Sequence, residues 1–145
     1  MPATKPNPIP EGYSTVTPYL CVVEAAKLIE FLKQAFAAEV IVRMDGPDGS
    51  VMHAEVKIGD SIVMMGQVPA ERATRAMLHL YVTDADATYK KALAAGATSV
   101  REMADQFYGD RSGGVRDAFG NDWHIATHVE DVSPEEMKRR MAAQA

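Results

Sequence analysis

The chemistry this chain can do rests first on its four histidines. His124 and His128 close the stretch from Gln106 to His128, Q-F-Y-G-D-R-S-G-G-V-R-D-A-F-G-N-D-W-H-I-A-T-H, and His53 stands two residues before Glu55. His79 lies between Leu78 and Leu80. An imidazole changes charge near neutrality, moves protons and binds metals, and a carboxylate two residues away on a strand shares its face. His53, Glu55, His79 and His124 are therefore candidate acid, base and ligand groups. Three imidazoles and a carboxylate are the donor types that zinc, iron or manganese accept, and a retained water would make a Lewis-acid site. Each residue also has a plainer role. His53 with Glu55 makes a polar pair on a wall, and His79, flanked by leucines, reads as a buried hydrogen-bonded imidazole. His128, near a strand end, is placed to pair with Glu130 or Asp131.

The elements that position these groups follow from periodicity. Asp122, His124, Ala126 and His128 fall on one face of a strand, and Trp123, Ile125 and Thr127 form the more apolar face, suited to packing under a helix. Two turn signals, Gly109-Asp110 and Phe119-Gly120-Asn121, bound the strands of this region. Upstream, Thr15 to Val22 reads as a strand and Glu24 to Ala38 as a helix, with Ala25, Leu28, Ile29, Leu32 and Phe36 at helical spacing. Val40 to Met44, Ser50 to Ile58 and Ser61 to Gly66 complete a βαβββ unit. Residues 68–76 read as a linker. Met77 to Val82 then repeats the opening strand and Asp84 to Ala95 the helix: L-C-V-V-E-A-A lies about sixty residues before L-Y-V-T-D-A-D. Gly96 ends that helix, and Ser99 to Asp105, Gly109 to Arg116 and Asp122 to His128 supply three more strands. The resulting division is an extended, proline-rich arm (1–14), a first module (15–67), the linker, a second module (77–128) and a terminal segment (129–145). In that last segment Ser133-Pro134-Glu135-Glu136 is a capping box that starts a helix. A ferredoxin-like α+β assembly would need a second helix in each half, which the strand count leaves no room for.

Paired βαβββ units ending in a G-N-x-W-type strand resemble the vicinal oxygen chelate superfamily, which includes glyoxalase I, extradiol dioxygenases, fosfomycin resistance proteins and bleomycin-binding proteins. M-H-A-E-V-K-I-G-D-S-I-V-M-M (52–65), Q-F-Y-G-D-R (106–111) and W-H-I-A-T-H-V-E-D-V-S-P-E-E-M (123–137) are similar to its PhnB-like branch. The resemblance covers nearly the whole chain. One departure is Asp117-Ala118-Phe119-Gly120, where the family usually has proline after the aspartate. The resemblance implies an α+β fold of two tandem modules forming a curved mixed sheet around a cavity, within one chain or between the subunits of a homodimer. It also implies that metal-dependent members draw one ligand from the first and fourth strands of each module. The matching residues here are Thr17, Met64 or Met65, Met77 and His124, of which His124 alone binds a divalent metal well. A second constellation would add His53, Glu55 and His79 to His124.

Around these groups, Thr17, Tyr19, Met64, Met77, Tyr81, Tyr108, Arg111 and His124 are candidate ligand-binding residues. Phe107 and Tyr108 suit a loop that stacks on an aromatic ligand, or a cover for a sheet edge. Arg111 and Arg116 beside Asp110 and Asp117 suit a charge-assisted site for a carboxylate or phosphonate, or a hairpin held by paired charges. Cys21, the one cysteine, shares the face of Thr17 and Tyr19 and reads as a small hydrophobe.

Composition narrows the classes. A length of 145 residues with 47% hydrophobic content buries a proper core, and a net charge of −5 disfavours nucleic acid or an anionic membrane as partner. No apolar run approaches the roughly 18 to 20 residues of a membrane span. A single cysteine and no leader-like start point to the cytoplasm. Two functions remain. One is a metal-free protein that binds a small organic molecule through His, Met and aromatic side chains. The other is a metal-dependent lyase, isomerase or dioxygenase using His53, Glu55, His79 and His124. A module that contacts another protein through the arm and terminal helix is a third, weaker reading.

Overall fold

The computed structural model describes residues 5–144, so the expectations for residues 1–4 of the arm and for Ala145 lie outside it. The chain divides into two compact units, one comprising residues up to Lys33 with Ala37–Thr74, the other Gln34–Phe36 with 75–144. Each carries its own four-stranded mixed sheet, as expected of two tandem βαβββ modules.

The first unit runs β1 (Tyr19–Val22), α1 (Ala25–Phe36), β2 (Glu39–Asp45), β3 (Val51–Ile58) and β4 (Ser61–Gln67). Its strand order is β1-β4-β3-β2, with β1 and β4 parallel and the other pairs antiparallel. A parallel pair needs a crossover, and α1 with the β2–β3 hairpin supplies it. Strand β1 begins at Tyr19 rather than Thr15. Pro18 has no N–H to give a neighbour, and the Thr17 hydroxyl donates to the Ser14 carbonyl at 3.2 Å, which holds the chain in a bend. Alternation then sorts the residues: Leu20, Val22, Ala54, Val56, Val63 and Met65 are buried, as is the helical stripe of Ala25, Leu28, Ile29 and Leu32. Helix α1 ends on Ala37, whose φ of 55° is left-handed and whose N–H caps the Leu32 carbonyl.

The second unit repeats the plan: β5 (Met77–Tyr81), α2 (Ala85–Ala94), β6 (Thr98–Asp105), β7 (Asp110–Arg116) and β8 (Asp122–His128), in the order β5-β8-β7-β6. The α2 helix is capped by the Asp84 carboxylate, which accepts from the Ala87 N–H at 3.1 Å, and Gly96 follows its end at φ 111°. The linker holds a single 3-10 turn, Ala70–Arg72. Terminal helix α3 (Pro134–Ala143) starts at Ser133, whose hydroxyl accepts from the Glu136 N–H. Glu136 does not complete the box. Its carboxylate instead takes Arg139 and Arg140, which hold it down to a pKa of about 2. No helix among the described residues is long and apolar enough to cross a membrane.

The turn before β8 is the most heavily bonded point of the second unit. Asp117 is 4% exposed, and its carboxylate accepts from Phe119 N–H at 2.8 Å, Asn121 N–H at 3.0 Å, Asn121 Nδ2 at 3.1 Å and Trp123 Nε1 at 2.9 Å. Gly120 turns the chain at φ 89°, a conformation that costs other residues energy. The Asn121 side chain then accepts from Ala76 N–H at 3.0 Å, and Ala76 O accepts from Asp122 N–H at 2.8 Å, tying the start of β5 to the start of β8. Removing the carboxylate strands several buried donors at once. Asp117→Ala is therefore expected to destabilise the protein by about 3 kcal/mol, read as a lower urea midpoint at an unchanged slope. Ala37→Gly should stabilise the protein by about 1 kcal/mol, read as a higher midpoint, because glycine adopts the left-handed cap without strain.

Candidate functional site

Strand register assembles the site residues into rows. In the second unit His79 lies directly opposite His124, His124 opposite Gly114, and Gly114 opposite Arg101. The next row holds Tyr81, Ala126 and Ser112, and the previous one Met77, Asp122 and Arg116. These residues share the face of the sheet turned away from α2. The other face carries Trp123 and Ile125, both fully buried, and Thr127, whose hydroxyl accepts from the first helical N–H, Ala85, at 2.9 Å. This agrees with the amphipathic reading of β8. His79 is the exception to the sequence reading: it is exposed rather than buried, because Leu78 and Leu80 point to the opposite face and His79 does not.

The His79 and His124 rings stack at 15° with centroids 6.4 Å apart, and Tyr81 leans on His79 at 4.9 Å. Neither imidazole has a protein hydrogen-bond partner among the described residues. Burial, then the charges of Arg101 and His79, push the His124 pKa down against a smaller pull from Asp122, so its neutral form is favoured. Arg101 donates to the Ser112 hydroxyl at 2.9 Å, while Arg116 and Asp122 close on each other at 2.7 Å.

At the far end of the same face the polar groups are satisfied by one another. Asp110 is 3% exposed and accepts from Tyr81 Oη at 2.9 Å and from His128 Nδ1 at 2.8 Å, and the other ring nitrogen of His128 reaches Asp131 at 2.7 Å. Bonds to Asp131 and Asp110 push His128 up. Its pairing with Asp131 matches the plainer sequence reading, while the partnership with Asp110 is a long-range contact that no local spacing announces.

The first unit presents a second polar face. Tyr19 lies opposite Met64, Met64 opposite Glu55, and Glu55 opposite Val42. His53 Nε2 meets Glu55 Oε2 at 2.8 Å, His53 Nδ1 meets the Tyr19 hydroxyl at 3.1 Å, and Tyr13 donates to the other Glu55 oxygen. Burial pushes the Glu55 pKa up, but the bonds from Tyr13 and His53 outweigh it and the net shift is downward. Tyr13 escaped the sequence reading, since it sits on a proline-rich arm with no periodicity to flag it.

Several expected placements change. Thr17 lies before β1, so Tyr19 is the residue that faces Met64, and Met77 pairs with Asp122, so His79 is the residue that faces His124. Arg111 lies on the helix side of its sheet, opposite Thr127, and its guanidinium bonds Asp86 of α2 at 2.7 and 3.0 Å and Asp105 at 3.3 Å. It is not on the histidine face, and neither it nor Arg116 pairs with its neighbouring aspartate. Tyr108 packs edge-on against Phe107 in the β6–β7 turn. The proposed quartet of His53, Glu55, His79 and His124 consists of two pairs, one on each sheet. No group of three or more His, Cys, Asp or Glu among the described residues is arranged to hold a metal ion. The positions facing each other across the first and last strands of the modules offer a phenol, a thioether and two imidazoles, which is not a donor set for a hard divalent cation.

Comparison with known proteins gives the same architecture a family. Residues 14–125 match the model of the Glyoxalase/Bleomycin resistance protein/Dioxygenase superfamily. An uncharacterized protein of Mycobacterium bovis is 38% identical over 141 residues, covering 89% of this chain and 93% of its own. Among solved structures, TioX from Micromonospora sp. ML1 superposes with a TM-score of 0.66 at 24% identity, covering 83% of this chain and all of its own. A putative 3-demethylubiquinone-9 3-methyltransferase, PhnB protein, from Bacillus cereus gives 0.62 at 16% identity, over 79% and 99%. The fold is thus that of two tandem βαβββ modules, and the chain belongs to the glyoxalase/bleomycin resistance/dioxygenase superfamily.

The electrostatics make a direct expectation for the histidines. In a two-dimensional NMR titration His124 should protonate below the ordinary value of about 6.5 and His128 above it. Folding then loses stability through His124 as pH falls below the unfolded value, since the unfolded chain takes up the proton first. The contribution of His128 has the opposite sign: it is complete in acid and is lost as pH rises through the raised folded value. Arg101→Gln should move His124 up, and Asp131→Asn should move His128 down.

Proposed function

We propose that this protein binds a small organic molecule on the open face of its second sheet and works without a resident metal. One observation carries the reading: among the described residues, the stacked pair His79 and His124 is left without a protein hydrogen-bond partner, while Glu55, Asp110, His53 and His128 are already engaged. Two imidazoles, each with one ligating lone pair, fall short of the three or four donors that hold a catalytic cation. They suit hydrogen bonding and stacking with a flat organic ligand.

The neighbours define the ligand's chemistry. Met77 is 66% exposed and Tyr81 65% exposed on either side of His79, offering a polarisable and an aromatic surface. Arg101, in the same row as both histidines, can pair with a carboxylate or phosphonate. We read the ligand as a small planar molecule bearing an anionic group. The motifs around His53, Tyr108 and Trp123, with the PhnB protein among the structural neighbours, support placing the chain in the PhnB-like branch.

Elemental analysis of purified protein is expected to find less than about one tenth of a metal ion per chain. Near-stoichiometric zinc, iron or manganese would instead favour a metal-dependent lyase, isomerase or dioxygenase. In a thermal-shift screen of aromatic carboxylates and phosphonates, a ligand present at about 100 times its Kd should stabilise by about 2.7 kcal/mol. His124→Ala and Arg101→Ala should each abolish that shift.

A further inference from the structure

Four side chains of the first unit stand in series, outside the ligand surface proposed on the second. Tyr13 donates to Glu55, Glu55 accepts from His53 Nε2 at 2.8 Å, and His53 Nδ1 lies 3.1 Å from the Tyr19 hydroxyl. Glu55 is 8% exposed and is kept ionised by the two bonds it accepts. In the neutral imidazole, a carboxylate against Nε2 requires the proton on that nitrogen, which leaves the lone pair on Nδ1. The contact with Tyr19 is then a phenol O–H donated to Nδ1. The Tyr19 proton points at a base, that base is oriented by a carboxylate, and Tyr19 is 46% exposed on the open face.

This is the geometry of an activated oxygen nucleophile: a hydroxyl within reach of a base, and the base held by a third group. The seat of the phenol is specific. A Cβ on Gly66, opposite Cys21, would stand 2.8 Å from Tyr19 Oη and 2.7 Å from the Met52 carbonyl, so the approach of Tyr19 to His53 requires glycine there. A tyrosine whose hydroxyl only anchored a sheet would be equally served by any acceptor. Here it meets an imidazole whose tautomer is set from behind.

We propose that Tyr19, His53 and Glu55 form a second, metal-independent site at which the Tyr19 oxygen accepts an acyl group from a small activated ester. The Tyr19 oxygen forms a bond to the carbonyl carbon as its proton passes to His53 Nδ1, and Glu55 balances the imidazolium. The bond from that carbon to the leaving oxygen breaks, the electron pair departs with the oxygen, and the imidazolium returns the proton. Water then attacks the acyl-tyrosine, gives a proton to His53, and releases the acid as the phenol is restored. Tyr13 is a positioning residue, holding the Glu55 carboxylate from its other oxygen.

The test uses the full chain and p-nitrophenyl acetate. The expected result is a burst of about one p-nitrophenolate per chain, with the acetyl group mapped by peptide mass spectrometry to Tyr19 about tenfold or more ahead of any other tyrosine. Tyr19→Phe should remove that label, His53→Gln should remove the burst, and Glu55→Gln should slow it by about tenfold to a hundredfold. Should those variants fold poorly, nitrogen-15 shifts of the unmodified protein still decide the matter, because the relay requires the Nε2–H tautomer of His53. Acetyl groups confined to lysines and other histidines, equal labelling of Tyr19 in His53→Gln, or an Nδ1–H tautomer would each overturn the proposal.

Discussion

The histidine face depends on one buried carboxylate. Asp117 gathers four donors from the turn that precedes β8, and the same turn presents Asn121 to Ala76 at the start of β5. A parallel strand pair has no hairpin to set its register, so something outside the ladder must do so. Here the clamp at Ala76 and Asp122 does it, and a slip of one residue would turn His124 toward the helix and Trp123 toward solvent. The bonds of this turn go to the backbone N–H groups of Phe119 and Asn121, to the Asn121 amide and to Trp123, so residue 118 carries none of them.

The two units show how one backbone plan carries two polar arrangements. Tyr19 with Met64 and His79 with His124 occupy matching places across the outer parallel pairs of their sheets. In the second unit the pair is two stacked imidazoles without a protein hydrogen-bond partner among the described residues. In the first, the phenol is drawn across its sheet to His53, and the carboxylate behind that histidine is closed by a tyrosine from the arm. Polar groups that satisfy each other are poor metal ligands, since a cation would have to displace bonds already made, and this separates the polar networks of Glu55 and Asp110 from the open imidazoles of β5 and β8.

Much of the architecture was legible before the structure. The helical stripe from Ala25 to Phe36, the alternation in β8 and the internal repeat are local or periodic signals, and each reports burial through spacing alone. The candidate site was legible only in part. His53 and Glu55 share a face because they are two residues apart, and that pairing holds. The choice of Thr17 and Met77 as strand-facing partners failed, because register depends on where a strand begins, and Pro18 and the Asn121 clamp set those beginnings. Arg111 was read with its neighbours as an anion site or a charge-paired hairpin, but its partner Asp86 lies 25 residues away on α2, and no nearby residue signals that pairing.

The amino-acid sequence by itself determined the two βαβββ modules, their apolar faces and the residue types available for chemistry, because those follow from side-chain period and turn propensity. Tertiary structure decided which of those residues face one another, which carboxylates are consumed by tyrosines and histidines, and which imidazoles stay open. Those outcomes depend on contacts between residues tens of positions apart, such as Tyr13 with Glu55 and Ala76 with Asn121, and distance along the chain carries no information about them until the strands have paired.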